Sequence, residues 1–141
     1  MDLRIFQPEP MGLKDELLSL PLEDRLTYNP DENIFFVNFE NLYIKSSGDI
    51  KKIKAIIDKT LHPLGKKVFT IVNYDNFNIY PDLVDEYAEL VKYVMKYYEN
   101  VTRYTSSAFL QMKLGEELEK RGIKASMYKR HSEAQKELLK K

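Results

Sequence analysis

The sequence predicts an α/β domain: a mixed, mostly parallel sheet covered by helices, with an N-terminal β-hairpin at its edge. Three observations carry this. Strand-like and helix-like segments alternate from about residue 34 to the end of the chain. Residues 68–74, VFTIVNY, form a continuous apolar run rich in β-branched side chains, the pattern of a strand buried on both faces. Upstream, Asn29-Pro30-Asp31-Glu32-Asn33 separates two short apolar runs with residues that favour turns. Alternation of this kind requires crossover connections, and crossovers make neighbouring strands parallel.

Taken in order, residues 14–20 (KDELLSL) are spaced for a short amphipathic helix that Pro21 stops. Leu26–Tyr28 and Ile34–Phe39 are the arms of the hairpin. Leu42–Ile44 continues the second arm past a bend at Glu40-Asn41. Ser46 and Asp49 have the spacing of a capping box, and Ile50, Ile53, Ile57, Leu61 and Leu64 follow on one helical face until Gly65. After the strand at 68–74, Pro81 marks the first turn of a second helix with the stripe Leu83, Tyr87, Leu90, Val91, Val94 and Tyr98. Residues 101–105 are a short strand. Thr105-Ser106-Ser107 caps a third helix that buries Phe109, Leu110, Leu114 and Leu118 and ends at Gly122. Residues 123–128 form the last strand, and Ser132 with Gln135 caps a final helix with Ala134 and Leu138 inward. The organisation is a connecting segment, 1–21, and a single domain, 22–141.

Composition narrows the function classes. The 22 basic and 22 acidic side chains cancel, so no global field attracts nucleic acid or anionic lipid. The balance is uneven: residues 1–50 hold four Lys/Arg against ten Asp/Glu, and residues 113–141 hold nine against five. Two solvated faces account for this. The chain has no cysteine and two histidines, which excludes thiolate sites and disfavours a histidine metal site. No apolar run has the length of a membrane span and no secretory leader is present, so the expected location is the cytoplasm. The ten tyrosines read as core and interface packing, since no basic groove accompanies them for base stacking.

Two strand ends are candidate sites, because ligands in open α/β sheets collect outside the carboxyl ends of parallel strands. The first holds Asn73, Asp75 and Asn76. Asp75 is a candidate acid, phosphoacceptor or metal ligand, or the residue that bonds the turn backbone, and the turn is the preferred reading. The second holds Arg103, Thr105, Ser106 and Ser107, where free N–H groups of a helix start and a nearby guanidinium suit a small anion. The competing reading is a capped helix with Arg103 paired to a carboxylate such as Asp75. No two of the five glycines are close enough for a nucleotide cradle, and no serine elbow or acid–base pair emerges. No catalytic residue and no metal ligand is assigned.

The opening residues MDLRIFQPEPMGL resemble the run that ends the catalytic body of the large acyl-CoA:acetate/3-ketoacid CoA-transferases, the propionate CoA-transferase group. VNYDNF, VTRYTSSAFL and KLGEELEKRG are similar to segments of an additional C-terminal domain carried by some members. The resemblance implies a non-catalytic accessory domain whose partner is the transferase body, in cis or in trans, with self-association as a further contact. It implies a CoA thioester substrate for the fused enzyme and no cofactor in this chain. That chemistry uses a glutamate in a Glu-x-Gly context. Here the residues two before each glycine are Pro10, Ser46, Pro63, Lys113 and Lys120, so the nucleophile is not carried over.

The element order also resembles the STAS, or anti-anti-sigma-factor-like, fold. That resemblance implies a regulatory protein-binding module acting through the tyrosine-rich helix 82–98. Its regulatory members carry a phosphorylatable serine after a central strand. Asp75-Asn76 stand there in this chain, while Ser106 and Ser107 occupy a different junction. A small-anion or CoA sensor built on Arg103 is the third expectation.

Overall fold

The structure, a computed structural model, describes residues 21–124 and 127–138. Residues 1–20, which include the predicted helix at 14–20 and the transferase-like run, lie outside the described residues, as do 125–126 and 139–141.

A four-residue helical turn, α1 (Leu22–Arg25), leads into β1 (Leu26–Asn29) and β2 (Ile34–Asn38), paired antiparallel as the predicted hairpin. The connecting turn closes on Asn29, whose Oδ1 accepts the Asp31 amide at 2.9 Å, and Asn33 takes the left-handed conformation that ends it. The chain continues through α2 (Ser47–Leu61), β4 (Val68–Asn73), α3 (Val84–Val94), β6 (Tyr98–Tyr104), α4 (Ala108–Glu119), β7 (Met127–Tyr128) and α5 (His131–Leu138). The main sheet has the order β1-β2-β4-β6-β7, with every pair after the hairpin parallel. The predicted fold class is therefore the observed one.

Several elements differ from expectation in detail. Residues 43–44 do not prolong β2. Asn41 is left-handed, the chain turns away, and β3 (Tyr43–Ile44) pairs with β5 (Asn78–Ile79) in a separate two-stranded parallel sheet. Tyr98 does not belong to the helical stripe. A 3₁₀ turn over Met95–Tyr97 ends α3, and Tyr98 opens β6, which is longer than the predicted strand. Phe109 is 69% exposed on α4 instead of buried, while Leu114 and Leu118 carry that helix's contact. Helix α5 begins at His131, one residue before its predicted cap.

The strand order sets how the layers form. Each parallel crossover steps in the same direction across the sheet, so right-handed connections put α2, α3 and α4 on one face. There they cover a large core that includes Phe35, Val37, Ile53, Ile57, Val72 and Val94. Among the described residues the opposite face is covered by α5, through a small cluster of Ile34, Ile71, Ala134 and Leu138. A sheet wound in one direction has no reversal of strand order among its parallel strands, and so lacks the crevice in which such folds commonly seat ligands. Among the described residues, α5 leaves part of this face open beside the strand ends.

Candidate functional site

The carboxyl ends of the four parallel strands line up in register. Asn38, Asn73, Tyr104 and Tyr128 are successive cross-strand neighbours. Past them the ladder runs one step further, with the amides of Phe39, Tyr74 and Thr105 donating to the carbonyls of Asn73, Tyr104 and Tyr128 at 2.9 Å. The strands leave the sheet together, which brings the side chains of three connecting loops to one rim.

Those side chains are largely bonded to one another. Asn73 Nδ2 donates to Glu40 Oε1 at 2.9 Å and to Asn38 Oδ1 at 3.3 Å, while its Oδ1 accepts the Asp75 amide at 2.9 Å. Asp75 Oδ1 accepts the Ser106 amide at 2.6 Å, tying the loop after β4 to the start of α4. Asn76 Nδ2 donates to Asn41 Oδ1 at 2.5 Å, so two left-handed asparagines brace the neighbouring loops. Arg25 is 2% exposed, and its Nη1 donates to the carbonyls of Asn38 and Glu40 at 3.1 and 2.9 Å.

Beside this rim the uncovered part of the sheet forms a basin of about 270 Å³, lined by Arg25, Thr27, Asn38, Asn73, Tyr104 and His131. The Tyr104 phenol is pushed up to about 12, by burial first and then by the Asp75 and Glu40 carboxylates. It is neutral at physiological pH. The His131 ring meets it edge-on at 5.3 Å between centroids and stacks on Phe36 at 6.2 Å. The basin thus mixes donors and acceptors with one carboxylate, Asp24.

The residues singled out from the sequence divide into two places. Asn73, Asp75 and Asn76 do share the rim, but it is Asn73 that bonds the backbone of this turn, while Asp75 reaches across to the Ser106 amide. Arg103, Thr105, Ser106 and Ser107 are not drawn into one cluster. Ser107 Oγ accepts the Leu110 amide at 3.1 Å as the cap of α4, and Thr105 Oγ1 accepts the Ser107 amide at 3.1 Å. The Arg103 side chain is 1% exposed and forms no ion pair with Asp75. It lies in the helix-covered interior, at a cavity that Tyr74, Tyr87 and Tyr98 also line.

Sequence reading missed Asn38, Glu40 and Arg25. The signal for the first was present: β2 and β4 are both apolar runs that end in asparagine, IFFVN and VFTIVN. It also missed a surface clamp between α2 and α3. Asp58 Oδ1 accepts the hydroxyls of Tyr97 at 2.5 Å and Tyr93 at 3.0 Å, and the ammonium groups of Lys54 and Lys96 lie 4.2 and 3.9 Å from the centre of the Tyr93 ring. Burial acts to raise the Asp58 pKa, but the Tyr97, Tyr93 and Lys54 contacts outweigh it and hold the group below the usual carboxylate range.

Among the described residues no group of three or more His, Asp or Glu side chains is placed to hold a metal ion, and no helix is long and apolar enough to cross a membrane. Compared with protein-family models, curated proteins and solved structures, the chain matches none.

Proposed function

We propose that the chain is a non-catalytic accessory domain of a cytoplasmic acyl-CoA:acetate/3-ketoacid CoA-transferase, acting by packing, oligomerisation or regulation. The resemblance of residues 1–13 and of the segments around 72–77, 101–110 and 113–122 supplies the family. The structural observation that supports an accessory role is the rim itself. Asn38, Glu40, Asn73 and Asp75, the polar groups best placed for chemistry at the strand ends, serve to join one strand end to the next. Such a network rigidifies a scaffold.

The test is made on a transferase of this group with and without the domain. Removal is expected to change assembly or specific activity, and the purified domain is expected to bind the separate catalytic body. No affinity for the body, together with unchanged assembly and activity, rejects the proposal.

One observation favours a regulatory module as the second reading. Ser106 is exposed while its amide is held by Asp75, which fixes the backbone and leaves the side chain at the surface of the strand–helix junction. Mass spectrometry of the protein from its source cells reads this directly: phosphate on Ser106 supports the regulatory reading, and a consistently unmodified serine counts against it.

A further inference from the structure

The interior of the helix-covered face holds an unusual charge. Arg103, in the seventh-strand-adjacent segment of β6, is 1% exposed, and its Nε and Nη1 atoms meet no hydrogen-bond acceptor. It takes part in none of the ion pairs among the described residues. Its guanidinium faces the phenol of Tyr74 and acts on those of Tyr87 and Tyr98, all neutral groups. An arginine cannot shed its proton to escape such a position. Burying an unpaired charge is strongly unfavourable, and a neighbouring counter-charge with good geometry is the usual remedy.

The space beside the guanidinium is small and otherwise apolar. The cavity measures about 30 Å³ and is walled by side chains such as Val37, Ile53, Val72 and Leu90 together with the three tyrosines. A water-sized particle needs ~10–15 Å³ on this scale, so one or two such particles fit. The polar groups at hand are neutral hydroxyls: the Tyr74 oxygen can accept from the guanidinium, but Nε and Nη1 remain without a partner and no group nearby carries a negative charge. Tyr74 and Tyr87 have their oxygens 2.6 Å apart, so one hydroxyl hydrogen lies between them and the other remains to be donated. Two guanidinium N–H groups and one phenolic O–H therefore call for an acceptor. A water offers an acceptor but leaves the charge uncompensated. A monovalent, monoatomic anion supplies both.

We infer that the cavity between the sheet and helices α2 and α3 is a binding site for a single halide-sized anion, held by the Nε and Nη1 groups of Arg103 with the Tyr74–Tyr87 hydroxyl pair alongside. The inference is independent of any association with a transferase. The anion completes the core electrostatically, so the folded state binds it and the unfolded chain does not. Stability then depends on halide concentration by mass action. Sulfate is too large for the space and does not substitute.

Crystals of the full chain grown with bromide in place of chloride test the site directly. An anomalous peak within hydrogen-bonding distance of Arg103 Nε is the expected result. In parallel, unfolding temperature is measured in sodium chloride, bromide, sulfate and gluconate at matched ionic strength. Chloride and bromide are expected to raise it over gluconate by about 5 °C for each ~1 kcal/mol of binding free energy, climbing with the logarithm of halide concentration, with sulfate giving no specific increase. The Arg103→Met variant should lose the halide dependence; should that variant not fold, the anion series on the unaltered chain and the anomalous map decide. No peak beside Arg103, or a water refined there, overturns the inference, as does an unfolding temperature indifferent to the anion.

Discussion

Asn73, the last residue of β4, and Glu40, two residues past the end of β2, are joined by a 2.9 Å amide-to-carboxylate hydrogen bond. The same amide nitrogen reaches Asn38, so one side chain holds two neighbouring strand ends together. Asn73→Asp keeps the shape and removes the donor, leaving acceptors facing one another and two carboxylates in contact. A cost of about 1–3 kcal/mol at pH 7 is expected. It should shrink as the pH falls toward 4, where protonating the introduced carboxylate restores a donor. Urea midpoints of the two proteins at pH 7 and pH 4 measure this; equal stability at pH 7 would show that the bond does not hold the rim together.

The Asp58 clamp predicts a second pH dependence. Its carboxyl is held below the ordinary value near 3.9. A depressed folded-state pKa contributes stability above the unfolded pKa, and that contribution is lost as pH falls through the folded value. Asp58→Asn removes the charge and the dependence together. The gap in urea midpoint between the two proteins should be constant from pH 7 to about 5 and should begin to narrow below about pH 4. A gap that does not narrow at all between pH 5 and pH 3 would assign the effect to packing of Tyr93 and Tyr97 instead.

These two clusters mark where the sequence was legible and where it was not. The period of Ile50, Ile53, Ile57 and Leu61 reports burial against a sheet, and all four are buried on α2. The unbroken run at 68–74 reports a strand with neighbours on both sides, and β4 lies at the centre of the sheet. Pairing between loops leaves no period. Asn38 and Asn73 lie 35 residues apart in the chain and meet only because β2 and β4 align in register. Arg103 shows the limit most clearly. A guanidinium beside a helix start reads as a surface group, yet strand alternation places it with Val101 on the inward side of β6. Tyr98 differs from expectation because a helical stripe continues on paper past the turn that ends it, and Phe109 because, in the first turn of α4, it faces away from the side on which Leu114 and Leu118 are buried.

Gly65 offers a separation of backbone from packing. It closes the turn after α2 with φ of 64°, and an added Cβ would meet nothing within 4 Å. Gly65→Ala should therefore cost only the left-handed conformation, roughly 1–2 kcal/mol, and Gly65→Asn should cost less because asparagine tolerates that region. Thermal unfolding of the two variants ranks them. A larger loss for asparagine than for alanine would mean that the space around the turn is occupied.

Helix α4 supplies the sharpest contrast between two apolar residues five positions apart. Phe109 stands 69% exposed and Leu114 3% exposed. Removing an exposed ring forfeits little buried area, so Phe109→Ser should change stability by no more than about 0.5 kcal/mol. Leu114→Ala opens a cavity between α4 and the main core and should cost about 2–5 kcal/mol. Urea denaturation of both variants checks the orientation of the helix, since rotating it to bury Phe109 would reverse the order. A loss at Phe109 comparable to that at Leu114, with the helix unrotated, would instead mean that the ring is covered in the protein under study by a second copy or by residues outside those described, and repeating the measurement across protein concentrations separates the two: a second copy makes the loss concentration-dependent, a covering segment of the same chain does not.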